Sequence, residues 1–156
     1  MTMVRALIPI AFALMLGARV PQAQAPQVER LPDVPGKAIV EQVCATCHGV
    51  ELLVPSSRTV TQWRDTIGAM KTAGAKASDE EWKTVLDYIM GNLAFLNINK
   101  ATVDDVRLVF GVAEKVAQAV IGARDKQGGF KTVDDLKQIP DLDPTRIEAV
   151  RTRLSF

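Results

Sequence analysis

Cys44, Cys47 and His48 form a Cys-x-x-Cys-His segment, and they are the two cysteines and the one histidine of the chain. Two thiols at this spacing with an imidazole directly behind them suit covalent attachment of a c-type haem. The sulfurs form thioethers to the porphyrin vinyl groups, and the imidazole binds iron on one face. Other chemistry fits these residues less well. A structural zinc site takes about four nitrogen or sulfur ligands, and this segment offers three with no second cluster behind it. A thioredoxin-like redox pair wants a βαβ setting, and the flanking sequence has none. A plain disulfide rarely spans two residues with a histidine next in line. One covalent haem c per chain is therefore expected.

The second face of the iron needs another ligand, and no further histidine exists. Met1, Met3 and Met15 fall in a leader described below, which leaves Met70 and Met90. Met70 continues a stripe with Trp63 and Ile67 at i, i+4, i+7 and stands just before the break Thr72-Ala73-Gly74-Ala75, so it can face a cofactor near a helix end. Met90 is expected at the edge of the core. His48 and Met70 are the expected metal ligands, with an open or water-bound iron as the competing state.

The leader occupies residues 1–25. Arg5 precedes an apolar run from Ala6 to Ala18, thirteen residues long. That is short of the roughly twenty a membrane-spanning helix needs, but it suits the apolar region of a secretory signal, with Ala23-Gln24-Ala25 as the small-x-small cleavage pattern. The expectation is an exported, periplasmic or otherwise extracytoplasmic protein with no transmembrane anchor after cleavage.

About 130 residues remain, enough for one ordinary domain or two small ones. Residues 26–96 carry seven Lys and Arg against nine Asp and Glu, and residues 97–156 carry ten against nine. Neither balance is the strongly basic body of a dedicated nucleic-acid binder.

Three helices are expected to position the haem ligands. Pro35-Gly36 punctuates the start of the first, Lys37 to Cys47, which holds the Cys-x-x-Cys-His segment at its end. The second runs from about Thr61 to Ala73 and stops at Gly74. The third opens at Ser78, with Glu81 as capping-box partner, and buries Trp82, Val85, Leu86, Ile89 and Leu93. A core this small gains from packing around a large apolar cofactor.

Residues Val43 to Leu93, with Cys44-Ala-Thr-Cys47-His48-Gly-Val, Ser57-Arg58, Thr61-Gln62-Trp63-Arg64, Met70, Gly74-Ala75 and Ser78-Asp79-Glu80-Glu81, resemble a short bacterial class of c-type cytochrome domains. Similar domains occur in the haem-bearing subunit of quinohaemoprotein amine dehydrogenase. The resemblance implies Met70 as axial ligand and places Arg58 and Trp63 near the haem propionates. A guanidinium pairs with such a carboxylate, and an indole N–H donates to one.

Beyond residue 96 the chain repeats itself. Thr102-Val103-Asp104-Asp105-Val106-Arg107 recurs thirty residues later as Thr132-Val133-Asp134-Asp135-Leu136-Lys137, and Ala119-Val120 recurs as Ala149-Val150. Each copy opens with a Thr-x-x-Asp cap and predicts a helix, a turn and a second helix, with Gly128-Gly129 joining the copies. Led in by Leu96-Asn97-Ile98-Asn99-Lys100-Ala101, this half resembles the tandem helix-hairpin-helix module of ComEA-type competence proteins. The resemblance implies glycine-containing hairpins whose amides approach DNA phosphates. The first hairpin, Phe110-Gly111-Val112-Ala113, keeps one glycine. The second, Pro140-Asp141-Leu142-Asp143, keeps none, and its carboxylates repel a phosphate. Gly111 and Lys115 are the expected DNA contacts, with Lys100 and Arg124 in support.

The expected fold is all-α: a three-helix, cytochrome c-like haem domain over 26–95 followed by a helix-hairpin-helix domain over 96–156. The expected function is one-electron transfer between redox donor and acceptor proteins, without enzyme activity. The second module docks the haem domain to a partner, and DNA binding is expected to be weak. The alternatives are a periplasmic DNA-binding or DNA-uptake protein carrying a haem domain, and a haem sensor or enzyme with an open iron site.

Overall fold

A computed structural model of the chain describes residues 30–54 and 56–156. The leader expected over residues 1–25 lies outside these. Among the described residues no helix is long and apolar enough to cross a membrane.

Helix α1, Lys37–Cys44, follows Gly36, whose φ of 97° lets the chain turn into the helix. A Cβ at Gly36 would stand 3.3 Å from Thr84 and Tyr88, so the turn is also tight. The helix buries Val40 and Val43 and stops at Cys44, three residues earlier than expected. Thr46 Oγ1 donates to the Val43 carbonyl at 3.0 Å, and this local bond competes with continuation of the helix. Cys47 and His48 therefore sit on a turn and bend.

Helix α2, Val60–Thr72, is set by a capping box that the sequence reading passed over. Thr59 accepts from the Gln62 amide, and Gln62 Oε1 accepts from the Thr59 N–H at 2.9 Å. Gly74, at φ 103°, follows its end as expected. Helix α3, Asp79–Asn92, has the expected box: Glu81 Oε2 accepts from the Ser78 N–H at 2.7 Å, and Ser78 Oγ accepts from the Glu81 N–H at 3.2 Å. It buries Val85, Tyr88, Ile89 and Met90.

The repeat forms α4 (Val103–Phe110), α5 (Glu114–Gln127), α6 (Val133–Leu136) and α7 (Pro144–Val150). The second copy is shorter in both helices. Thr102 and Asp105 cap α4 reciprocally, and Asp135 accepts from the Lys131 and Thr132 amides ahead of α6.

The structure corrects the all-α expectation at one place. Leu96–Asn97 (β1) pairs in parallel with Leu154–Ser155 (β2), with Leu96 opposite Leu154, and the Ile98 N–H donates to the Ser155 carbonyl at 2.9 Å. This connector has no helix to satisfy its amides and carbonyls, so the chain's last residues supply the partners.

One apolar cluster runs through both halves. It includes Val40, Trp63, Val85 and Ile89 from the first half and Ile98, Val106, Phe110, Leu136 and Ile147 from the second. Leu96 is buried at the join, whereas Phe95 is half-buried. Phe95 works through its backbone, taking a bond from the Val60 N–H and giving one to the Arg58 carbonyl. Arg64 of α2 reaches the start of α4, pairing with Asp104 at 2.7 Å and Asp105 at 2.6 Å.

Candidate functional site

Three helices and one loop line an apolar cleft. From α1 come Val43 and Cys44, and from the following loop come Cys47 and His48. Helix α2 contributes Trp63, Ile67 and Met70, the stripe anticipated from spacing, and α3 contributes Val85 and Ile89. The four residues with soft or nitrogen donors, Cys44, Cys47, His48 and Met70, thus share one cavity despite spanning separate elements.

Their local chemistry is distinct. Both cysteines are free thiols, Cys44 half-buried and Cys47 exposed. Burial pushes the Cys44 thiol above its ordinary value, so it stays neutral at physiological pH. His48 Nδ1 lies 3.0 Å from the Gly49 carbonyl. A carbonyl only accepts, so Nδ1 is the donor in this contact, which leaves Nε2 as the nitrogen through which the ring can bind a metal.

Trp63 is 0 % exposed, and its Nε1 is the buried side-chain donor without a hydrogen-bond partner among the described residues. Such an orphan costs about 1–3 kcal/mol, a cost removed by a ligand that brings its own acceptor. The Arg58 guanidinium carbon stands 5.0 Å from the centre of the same ring, so a cation is already beside that donor. An apolar cleft with two free thiols, one imidazole, one thioether and, in its wall, a tryptophan with an unpaired N–H fits a flat apolar group that carries carboxylates; Arg58 stacks on that tryptophan but does not itself line the cleft. Among the described residues no group of three or more His, Cys, Asp or Glu is arranged to hold a bare metal ion.

The two methionines separate clearly. Met70 lines the cleft and is 38 % exposed. Met90 does not line it, and instead of edging the core as expected it is 0 % exposed, at the core's centre. Met90 follows Ile89 on α3, and rotation of about 100° per residue turns it away from the cleft wall.

In the second half, the hairpin between α4 and α5 turns at Gly111, φ 61°. The hairpin between α6 and α7 turns at Asp141, thirty residues on, with φ 64°. The two differ at the helix that follows. Ala113 caps α5 without any side-chain acceptor, leaving the Glu114 and Lys115 amides available to an anion, although the Glu114 carboxylate stands in the same turn and the Val116 N–H donates to the Ala113 carbonyl. Asp143 caps α7, its Oδ1 accepting from the Thr145 N–H at 2.8 Å. That backbone bond holds the Asp143 carboxyl below the usual carboxylate range, so the place where a phosphate would bind already carries a negative charge.

Gly111 and Lys115 are both exposed at the first hairpin. Arg124 is not at their side, because its Nη1 donates to the Ala101 carbonyl at 2.7 Å and its Nε to Asp125. Lys100 is exposed at the opposite end of α4. Two arginines that the sequence reading did not single out flank the hairpin instead. Arg146 Nη1 lies 3.1 Å from where a Cβ on Gly111 would be, and Arg107 lines the same groove while bonded to Asp104. Arg146 belongs to the other repeat, so spacing alone gave no sign of it.

Residues 92–155 match the family of the helix-hairpin-helix motif. The chain is 38% identical over 66 residues to an endonuclease/exonuclease/phosphatase family domain-containing protein 1 of Danio rerio, covering 42% of this chain and 12% of that protein. It is 28% identical over 65 residues to ComE operon protein 1 of Bacillus subtilis, 42% of this chain and 32% of the relative. A Haemophilus influenzae protein is 31% identical over 62 residues, 39% of this chain and 55% of its own length. The chain thus spans only about an eighth to a half of these relatives. No solved structure matches it. Residues 92–155 are a helix-hairpin-helix domain, built here onto a helical half that holds the cleft of Cys44, Cys47, His48 and Met70.

Proposed function

We propose that the protein is an exported, DNA-associated haem protein. In this reading Cys44 and Cys47 would hold one haem c covalently, His48 Nε2 and Met70 Sδ would bind its iron, and Trp63 Nε1 and Arg58 would receive the propionates. The observation that carries the haem half is one apolar cavity that gathers both thiols, the imidazole and the thioether, with Trp63, whose buried Nε1 is unpaired, in its wall. Bound there, the group supplies reversible one-electron chemistry. The protein's own residues exclude water along an apolar wall, orient the imidazole through the Gly49 carbonyl and bring the Met70 thioether into the same cleft.

For the second half, charge balance favours a protein-docking role, but the helix-hairpin-helix match and the likeness to ComE operon protein 1 support the DNA-linked reading better. The geometry supports a contact through the first hairpin alone. Its amides lack a side-chain acceptor, and Gly111, Lys115 and Arg146 surround them, whereas Asp143 fills the corresponding place in the second. One hairpin gives weak, sequence-independent binding to the phosphate backbone.

Two measurements on full-length protein co-expressed with a cytochrome c maturation system test the two halves separately. A c-type pyridine haemochrome spectrum is expected, and haem lost to acid–acetone extraction would refute the first half. Fluorescence anisotropy with random duplex DNA should show salt-sensitive binding. No binding even at low ionic strength would return the module to the protein-docking role.

A further inference from the structure

Arg153, three residues from the chain end, has crossed from the hairpin half into the first half and lies 8 % exposed against the end of α3. Its Nη1 donates to the Ala94 carbonyl at 2.8 Å and to the Met90 carbonyl at 3.4 Å, and its Nη2 donates to the Gly91 carbonyl at 2.6 Å. None of the ion pairs among the described residues includes it. A buried cation without a counter-ion is uncommon, because removing it from water is costly. The carbonyls at a helix C-terminus offset that cost through hydrogen bonds and the negative end of the helix dipole.

The same helix end backs the cleft. Ile89, next to Met90, lines the cavity, so the carbonyls that hold the guanidinium belong to the end of the helix that forms one cleft wall. Burial pushes the Arg153 guanidinium down to about 10, still above physiological pH, so the charge is permanent under working conditions. A fixed charge in a weakly polar interior is little screened by salt, so its field reaches beyond its own contacts.

We propose that Arg153 is a positioning charge through which the helix-hairpin-helix half sets the redox poise of the group held in the cleft. The inference rests on the haem reading above. Transfer of one electron from a donor protein to the bound cofactor lowers the cofactor's net charge by one, and its return to an acceptor raises it by one. A buried cation behind the wall opposes the more positive, oxidised form and so raises the midpoint potential. Replacing it with a neutral side chain removes the cation while the three carbonyls stay as they were, which lowers the midpoint potential.

The test is potentiometric titration of the full-length, haem-loaded protein and four variants, with haem content and far-ultraviolet circular dichroism measured on each. Arg153→Met and Arg153→Gln are expected to lower the midpoint potential. Arg153→Lys keeps the charge and should stay near the parent value. Arg124→Gln removes another partly buried arginine, one bonded within the hairpin half, and should leave the potential unchanged. If Arg153→Met does not fold, the comparison of Arg153→Gln with Arg153→Lys decides the matter. Folded, haem-loaded variants with potentials equal to the parent would overturn the inference and leave the haem reading standing. A parent chain that retains no covalent haem would overturn both.

Discussion

Gly111 and Asp141 stand thirty residues apart at the turns of the two hairpins and adopt the same left-handed backbone, φ 61° and 64°. The glycine takes this conformation freely. Aspartate is one of the few other residues to do so, because its short polar side chain tolerates it. Loss of the glycine has therefore not changed the shape of the second hairpin. What changed is its charge, since Asp143, at the equivalent of Ala113, occupies the amides that an anion would use.

This difference predicts that DNA affinity resides in the first hairpin. Gly111→Asp should weaken binding several-fold and reduce the log–log salt slope by about 0.9, the loss of one phosphate contact. Conversely, Asp141→Gly combined with Asp143→Ser should strengthen binding and steepen the slope. Anisotropy titrations at three or more salt concentrations check both, and a slope that ignores either change would remove the hairpins from the interface.

Covalent attachment predicts that Cys44→Ala with Cys47→Ala abolishes retention of haem through acid–acetone extraction, while each single variant retains a weaker, single-thioether product. The pyridine haemochrome band of the single variants should shift from the parent position. Retention of covalent haem in the double variant would show that other residues anchor it.

Assignment of the far ligand follows from where the two thioethers lie. In the oxidised protein the near-red charge-transfer band of a thioether-bound iron should vanish in Met70→Ala and persist in Met90→Leu, which preserves core volume at a cost below about 1.5 kcal/mol. Met90→Ala is a poorer test because truncating a fully buried methionine costs about 2–5 kcal/mol. Persistence of the band in Met70→Ala would falsify the assignment.

The join between the halves should resist proteolysis. Residues 92–99 have buried Leu93, Ala94, Leu96 and Ile98, paired strands at Leu96 and Asn97, and the Ala94 carbonyl held by Arg153. Limited proteolysis of the folded protein should spare this segment. Arg64→Ala, which removes the pairing with Asp104 and Asp105, should leave it protected, because the apolar packing remains.

The Glu81 carboxylate accepts from the Ser78 backbone N–H and hydroxyl, which hold it below the usual carboxylate range. A lowered folded-state value means the charged form favours the native state. Its contribution is present above the unfolded carboxyl's pKa and disappears as pH falls through the lowered one. The melting temperature of Glu81→Ala should therefore lie below the parent at pH 7 and converge with it under acid conditions. A gap independent of pH would assign the effect to helix propensity rather than to the cap.

Much of this protein is determined by local sequence. The Ser78 and Thr102 caps, the Gly74 stop, the stripe of Trp63, Ile67 and Met70, and the thirty-residue repeat each depend on neighbours within a few positions, so composition and spacing suffice to place them. The α2 wall of the cleft was legible for the same reason, because Trp63, Ile67 and Met70 recur at helical spacing and share one face. Only the tertiary structure decided how the elements meet. The parallel pairing of Leu96 with Leu154, the crossing of Arg146 to Gly111 and the burial of Arg153 against Gly91 and Ala94 join residues far apart in the chain. No periodicity records such contacts. They arise when backbone groups and charges left unsatisfied by local structure find their partners in the folded chain.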